Sequence, residues 1–399
     1  MSDIKDPLSS IFDRAMKNQV IFKNKNALRS EYIPNELHFR DDQITRIGQI
    51  LSPILNRDKP SNLLIYGKTG TGKTVVTRYV LNRLIERTKK TAMDVKVGYV
   101  NTRVASTEYR VLTELAHSIG IILPFTGLSI SEAFHRITEH IKATQTKAIF
   151  ALDEIDFLVK LSGDNLLYEL TRANESMPQT SFITLIGISN DLKFKDNLDA
   201  RVLSSLNEEE TVFSPYTVDE LKAILLERVN IAFNTDVVTE AAINLCAGMA
   251  GSEHGDARRA VDLLRVAGEL AEREGAGEVR DEHVRQAAQS IERDRIFEGI
   301  QSLPIHGKLT LLAVSRGREP ENTGHIYARY IALAKQLGLE PLTQRRISGL
   351  LSELDLLGLI SAPVISQGRM GRSKKISLAI QTDVLKAALT EDETLKPLF

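Results

Sequence analysis

Eight consecutive residues, Gly67-Lys68-Thr69-Gly70-Thr71-Gly72-Lys73-Thr74, fit the pattern G-x-x-x-x-G-K-[ST]. Glycines in such a string let backbone N–H groups turn toward an anion. A helix opening at its end adds positive potential. The chemistry is phosphate binding: Lys73 would reach the β- and γ-phosphates of ATP, and Thr74 would ligate Mg²⁺. A site of this kind needs an acid at the end of a second strand. Ala148-Ile149-Phe150-Ala151-Leu152-Asp153-Glu154 supplies one, with Asp153 in the metal shell and Glu154 orienting the attacking water. Asn190, after Ile186-Gly187-Ile188-Ser189, either offers an amide to the γ-phosphate and the water or closes a turn. Arg201, in Leu198-Asp199-Ala200-Arg201, is either a surface charge or a finger that reaches a neighbour's nucleotide. Gly255-Asp256-Ala257-Arg258-Arg259-Ala260-Val261 opens a helix. With Ala257, Ala260, Val261 and Leu264 as its buried stripe, Arg258 and Arg259 project elsewhere; Arg258 either senses the γ-phosphate or, as is expected of Arg259, lies on a solvated helix face. Tyr216 and Arg228 bracket another helix. The first either lines an adenine pocket or caps the helix; the second either approaches the nucleotide or is a surface charge.

A second constellation lies near the C-terminus. The helix starting at Thr343 is expected to bury Ile347, Leu350, Leu351, Leu354 and Leu357 and to expose Gln344, Arg345 and Arg346 in its first turn. N-terminal residues of a recognition helix are the ones that reach base edges in the major groove of duplex DNA. The following string, Gln367-Gly368-Arg369-Met370-Gly371-Arg372-Ser373-Lys374-Lys375, has four cations, two glycines and no acid. Such a hairpin tip suits phosphate contacts or insertion into a minor groove, the alternative being a solvated loop. Residues 305–380 carry a net charge of +6, so the rest of a chain of net charge −1 sums to −7. A basic segment on an acidic protein points to a polyanionic partner.

The elements that must position these residues are legible in the hydrophobic periodicity. Residues 61–213 alternate strand and helix: NLLIYG, VKVGYVNT, KAIFALDE and SFITLIGISN read as strands, which argues a parallel sheet covered on both faces. Residues 1–60 read as an N-terminal arm and a helix, and 214–300 as a helical lid domain. Residues 301–399 read as three helices followed by a β-hairpin, a winged helix. The fold class expected is therefore α/β, a P-loop core with a lid and a C-terminal winged-helix domain. Of the 399 residues, 42% are hydrophobic and 26% charged, which excludes a disordered or fibrous chain. No apolar run approaches the roughly 18 residues of a membrane span, and no signal pattern opens the sequence. Cys246, the single cysteine, excludes an internal disulfide and reads as a core residue. A reducing cytoplasm, close to the nucleoid, is the compartment expected.

The phosphate loop, the Asp-Glu strand, the Asn strand, LDAR and GDARRA, in that order and before a helical lid, resemble the AAA+ ATPases. With the winged helix added, and with YGKTGTGKT, NTRVASTEYRVLTELA, LPFTGLS, FSPYTVDELKAILLERV and GDARRAVDLLRVAGELA, the chain is similar to archaeal replication initiators of the origin-recognition/cell-division-control family. That resemblance runs from about Tyr32 to Ile380. It implies that Gly70 to Thr74, Asp153, Glu154, Asn190, Tyr216, Arg228 and Arg258 serve the nucleotide. Arg201 matches the finger position, although Ala200 replaces the proline frequent there. The insert from about Arg103 to Arg136 matches the family's DNA-contacting helices. The resemblance further implies binding to duplex origin repeats, ATP used as a slow switch, and recruitment of the minichromosome-maintenance helicase, with other initiator copies on adjacent sites. A clamp-loader or motor subunit, and an ATP-gated transcription regulator, are the competing expectations.

Overall fold

Asn62–Gly67 (β1) is buried along its whole length because it is an interior strand of a five-stranded parallel sheet, flanked on both sides. In the computed structural model, residues 21–29, 32–34, 36–91, 93–206, 208–317, 320–366 and 372–399 are described. The chain divides into two units, Met1–Val284 and Arg285–Phe399.

The sheet of the first unit has the order β2-β3-β4-β1-β5, with β2 at Val95–Asn101, β3 at Lys147–Asp153, β4 at Phe182–Ser189 and β5 at Glu208–Phe213. Every pairing is parallel. Alternation along β1 sends Leu63 and Ile65 to one face and Leu64 and Tyr66 to the other. Against the first face pack α1 (Asp41–Leu51) through Ile47, Ile50 and Leu51, and α2 (Lys73–Lys90) through Val76, Val80 and Leu81. On the second face lie the short turn α3 (Thr102–Ala105), α4 (Glu108–Ser118), α5 (Ile130–Thr144), α6 (Ile155–Ser162), α7 (Asn165–Arg172) and α8 (Ala200–Leu206). Each fully buried Leu or Ile in these layers contributes about 1.5–3 kcal/mol. Register sets the strand ends level, with Asn101 beside Asp153, Asp153 beside Ile188 and Tyr66 beside Ser189. The carboxyl ends therefore form one edge, where open α/β sheets bind ligands.

The four strands read from the sequence are all present. The fifth, β5, is an edge strand that starts with three glutamates and buries only Thr211 and Phe213. Glutamate is a poor strand former, so its periodicity was invisible.

Helices α9 (Val218–Ala232), α10 (Glu240–Ser252) and α11 (Ala257–Glu274) complete the first unit as a helical layer. A capping box, Thr217 with Glu220, starts α9. Cys246 is buried in α10, and burial pushes its thiol up to about 12. The expected stripe of α11 is corrected in part: Ala260 and Leu264 are buried, whereas Ala257 and Val261 are half-buried and line a cavity.

Helix α12 (Asp281–Gln301) contributes its residues from Arg285 onward to the second unit. There α13 (Ile305–Ser315), α14 (Thr323–Gln336) and α15 (Gln344–Leu356) share one core. Gly358 follows α15 at φ 70°, the left-handed residue that ends a helix. The expected hairpin is broken in two: β6 (Ile360–Ser361) pairs with β9 (Ser377–Leu378), and β7 (Val364–Ser366) with β8 (Arg372–Lys374). Pro363, which has no N–H for a ladder, sits at the break. A further helix, α16 (Thr382–Thr390), adds Leu385, Ala388 and Leu389 to the core. Among the described residues no helix is long and apolar enough to cross a membrane.

Candidate nucleotide-binding site and DNA-facing elements

The phosphate loop bridges β1 and α2, and two of its glycines, Gly70 at φ 75° and Gly72 at φ 94°, hold left-handed backbone that other residues adopt only under strain. The loop is closed on itself by side chains. Thr71 is fully buried and its hydroxyl donates to the Lys68 carbonyl at 2.9 Å. The Lys73 ammonium donates to the Gly67 and Lys68 carbonyls, each at 2.7 Å, and to Asn190 Oδ1 at 2.8 Å. With 6% of its surface exposed, Lys73 is pulled down to about 8, first by burial and further by Arg258, against the opposing pull of Asp153, Asp156 and Asp256.

The acid arrives from β3. Thr74 Oγ1 donates to Asp153 Oδ2 at 2.8 Å, and Tyr99 Oη donates to the same oxygen at 2.5 Å. Asp153 Oδ1 accepts from the Glu154 N–H at 2.9 Å, so the carboxylate is fixed from three sides. Burial, with Asp153 next, raises the Tyr99 hydroxyl far above its ordinary value, so it stays a donor. Glu154 sits in the left-handed region at φ 54°, an uncommon backbone for a non-glycine residue, between β3 and α6. Its carboxylate lies 3.6 Å from Arg103 and 3.5 Å from the Asn101 amide.

These groups face a cavity of about 1170 Å³. From the sequence-predicted set, Thr69 to Thr74, Asp153, Glu154, Asn190, Tyr216, Arg228 and Arg258 all line it. Gly67 and Lys68 stand behind the loop, where their carbonyls hold Lys73. Arg201 is not in the cavity: its side chain is 75% exposed and pairs with Asp199 at 3.1 Å. Arg259 pairs with Glu253 at 3.2 Å. Tyr216 is buried, and its ring carries the Arg40 guanidinium at 3.7 Å. Arg228 donates to the Ala27 carbonyl at 3.2 Å and stacks over Tyr32 at 4.7 Å, while burial lowers its guanidinium.

Sequence reasoning missed several residues here. The arm contributes Tyr32, Ile33 and Pro34 as an apolar wall. Asp256 caps α11 and meets the loop: the Ala257 N–H donates to the Gly70 carbonyl at 3.2 Å. Arg40, Arg78 and Tyr99 gave no signal because each stands outside a motif of fixed spacing.

In the second unit, α15 exposes Gln344, Arg345 and Arg346 and buries Ile347, Leu350, Leu351 and Leu354. Leu357 is a correction: although its spacing continues the stripe, it lies at the C-cap where the helix ends, and it is 59% exposed. Lys374 reaches back to α15 and donates to Ser352 Oγ at 2.8 Å, whereas Lys375 is exposed. Arg369 lies outside the described residues, and Arg372 is described in its backbone alone, in β8.

Comparison with known proteins fits this geometry. An ORC1-type DNA replication protein of Thermococcus kodakarensis is 47% identical, with 99% of this chain and 97% of the relative aligned. The chain belongs to the ORC1-type DNA replication proteins. ORC1-type DNA replication protein 1 of Sulfolobus acidocaldarius is 46% identical over the whole of both chains. Family models match the ORC1-type chain as an AAA domain at residues 56–190, a Cdc6 AAA+ ATPase-type lid domain at 222–289 and a CDC6 C-terminal winged helix domain at 298–388. The solved structure of the Aeropyrum pernix ORC1 protein in complex with DNA superposes with a TM-score of 0.87 at 45% identity, covering 95% of this chain and 99% of that one. The parallel sheet, lid and winged helix are thus those of the family, its AAA domain is a nucleotide-binding ATPase fold, and its process is DNA replication.

Proposed function

We propose that this chain is an ATP-dependent replication initiator. It binds duplex origin DNA sequence-specifically, helps recruit or load the minichromosome-maintenance helicase, and hydrolyses ATP slowly as a switch. The observation that carries the reading is the convergence of Lys73, Thr74, Asp153, Glu154, Asn190 and Arg258 on one cavity, in a chain that also carries a winged helix with Arg345 and Arg346 exposed. The segments assigned are 61–213 for the core, 214–300 for the lid and 301–399 for the winged helix. Action beside the nucleoid and on adjacent sites with further initiator copies belongs to the same proposal.

The residues fit ATP and Mg²⁺. Among the described residues no group of three or more His, Cys, Asp or Glu could hold a metal alone. Thr74 and Asp153, whose side chains meet at 2.8 Å, are the residues that would hold Mg²⁺. When bound, Mg²⁺ neutralises charge on the β- and γ-phosphates. Lys73 trades its carbonyl and Asn190 partners for phosphate oxygens. Arg258 senses the γ-phosphate from the lid, and Glu154 accepts the proton of the attacking water. Slow turnover is supported by the contacts of Glu154 with Arg103 and Asn101, which occupy its carboxylate. The exposed side chain of Arg201, outside its own chain's cavity, supports a role at a neighbouring copy's nucleotide.

Genome-wide footprinting tests the proposal. Occupied repeats clustered at one or two loci are expected; occupancy spread over many promoters would identify a transcription regulator instead.

A further inference from the structure

Arg40 is 3% exposed, yet among the described residues no carboxylate pairs with it. Its partners are neutral. Nε donates to the Thr71 carbonyl at 3.0 Å, Nη1 to the Phe39 carbonyl at 3.0 Å, and Nη2 to the Ser214 carbonyl at 2.8 Å. The guanidinium carbon lies over the Tyr216 ring, 3.7 Å from its centroid, and 5.7 Å from that of Phe213. Burying a cation without a counter-ion is costly, and a carboxylate at this place would be the ordinary remedy. The three carbonyls belong to the N-terminal arm, the phosphate loop and the segment that leads into the lid.

Geometry gives the charge a target. Thr71 C=O and Gly72 N–H are the two ends of one trans peptide and point in opposite directions. With the carbonyl held on Arg40, the Gly72 N–H is aimed away from Arg40. A cationic donor on the carbonyl polarises the peptide and makes that N–H a stronger donor. Gly72 leaves no room to change this arrangement, since a Cβ there would lie 2.7 Å from Tyr216 Oη and 3.7 Å from Arg40 Nε. Arg40 itself does not line the cavity.

We propose that Arg40 is a positioning residue of the nucleotide site: its unpaired charge, held behind the phosphate loop, polarises the Thr71–Gly72 peptide and strengthens the grip on a polyphosphate in proportion to its negative charge. This rests on the nucleotide-site reading above. It assigns to the counter-ion-free burial of Arg40 a task that a neutral residue of the same shape would not perform. The missing counter-ion is then the polyphosphate itself.

The test uses the nucleotide-stripped full chain and compares Kd for ADP and for a non-hydrolysable ATP analogue. Arg40→Gln keeps a donor and removes the charge. It should weaken the ATP analogue roughly tenfold and ADP distinctly less, because a charge interaction scales with the ligand's charge. Arg40→Lys should restore most of the ATP-to-ADP ratio. Equal losses for the two ligands, no loss, or a lysine variant no better than glutamine would overturn the proposal and leave Arg40 a structural brace. Should Arg40→Gln fail to fold, Tyr216→Leu opens the guanidinium to water and screens its charge. The ratio should fall with the same sign, and an unchanged ratio would overturn the proposal. Lys73→Ala in parallel separates the two levels. Intact ATP binding in that variant removes the site reading itself, whereas abolished binding beside an unaffected Arg40→Gln removes the Arg40 assignment alone.

Discussion

Lys73 holds its ammonium on two carbonyls and an amide oxygen, none of them charged, and burial has drawn its pKa to about 8. Phosphate oxygens would favour the charged form and raise the value in the complex. Nucleotide binding should therefore take up a proton above pH 8, and affinity should fall as pH rises from there, by at most about tenfold per unit. Calorimetry at pH 8.5 in buffers of differing ionisation enthalpy reads that proton directly; a buffer-independent enthalpy would show that Lys73 is charged in both states. For the free protein the sign is opposite. The folded value lies below the unfolded one, so the penalty of burying the charge is fully present below pH 8 and is relieved between about 8 and 10.5. Lys73→Ala should lose most ATP affinity at every pH. Glu154→Gln tests the chemistry instead, because it keeps shape and removes the carboxylate proposed as the base. Retained ATP binding with hydrolysis abolished is expected, and hydrolysis at the parent rate would move the base to another residue.

At the scale of elements, the first residues of the lid helix α11 meet the phosphate loop: the Ala257 N–H donates to the Gly70 carbonyl, and Asp256 packs against Gly70. Asp256 Oδ1 accepts from the Arg259 N–H at 3.0 Å, and a Cβ added to Gly70 would fall 1.8 Å from that oxygen. Gly70→Ala thus meets two costs: the left-handed backbone at φ 75°, about 1–2 kcal/mol, and displacement of the cap. Asp256→Ala alone should cost about 1 kcal/mol through removal of the N-cap. In combination the two should be less than additive by more than about 0.5 kcal/mol, since the second removes what the first collides with. Additive shifts in thermal unfolding would place the loop and helix apart in solution. This meeting was not legible in the sequence, although both of its strings were. GKTGTGKT and GDARRA each carry a local spacing, whereas their approach depends on the path of some 180 residues between them. The four apolar strands and the order of motifs were legible because burial on both faces writes a continuous hydrophobic run. The acid-rich β5, the short helices α6 to α8 and the buried Arg40 were not, since their burial is set by tertiary neighbours alone.

On the scale of the whole molecule, charge is segregated: +6 within residues 305–380 against −7 over the remainder. If the wing grips the DNA backbone, its cations displace condensed counter-ions, and the slope of log K against log salt changes by about 0.9 for each B-DNA phosphate that is no longer neutralised. Arg369 and Arg372 replaced by Ala should flatten that slope by up to about two units and weaken binding to every duplex alike. Lys374 should matter less, because its ammonium is already engaged by Ser352 at 2.8 Å. Arg345 is exposed in the first turn of α15, and a base edge is the contact proposed for it. Its replacement should narrow the gap between site and random DNA by about 1–3 kcal/mol while leaving the slope nearly unchanged. ATP affinity should survive all of these changes, because the phosphate loop belongs to the other unit. Salt titrations on site and random duplexes, run beside nucleotide calorimetry, separate the outcomes. An unchanged slope in the Arg369/Arg372 double variant would make the wing a solvated loop and shift the grip on the DNA backbone to the insert from Arg103 onward, where Arg103 and Arg110 stand exposed.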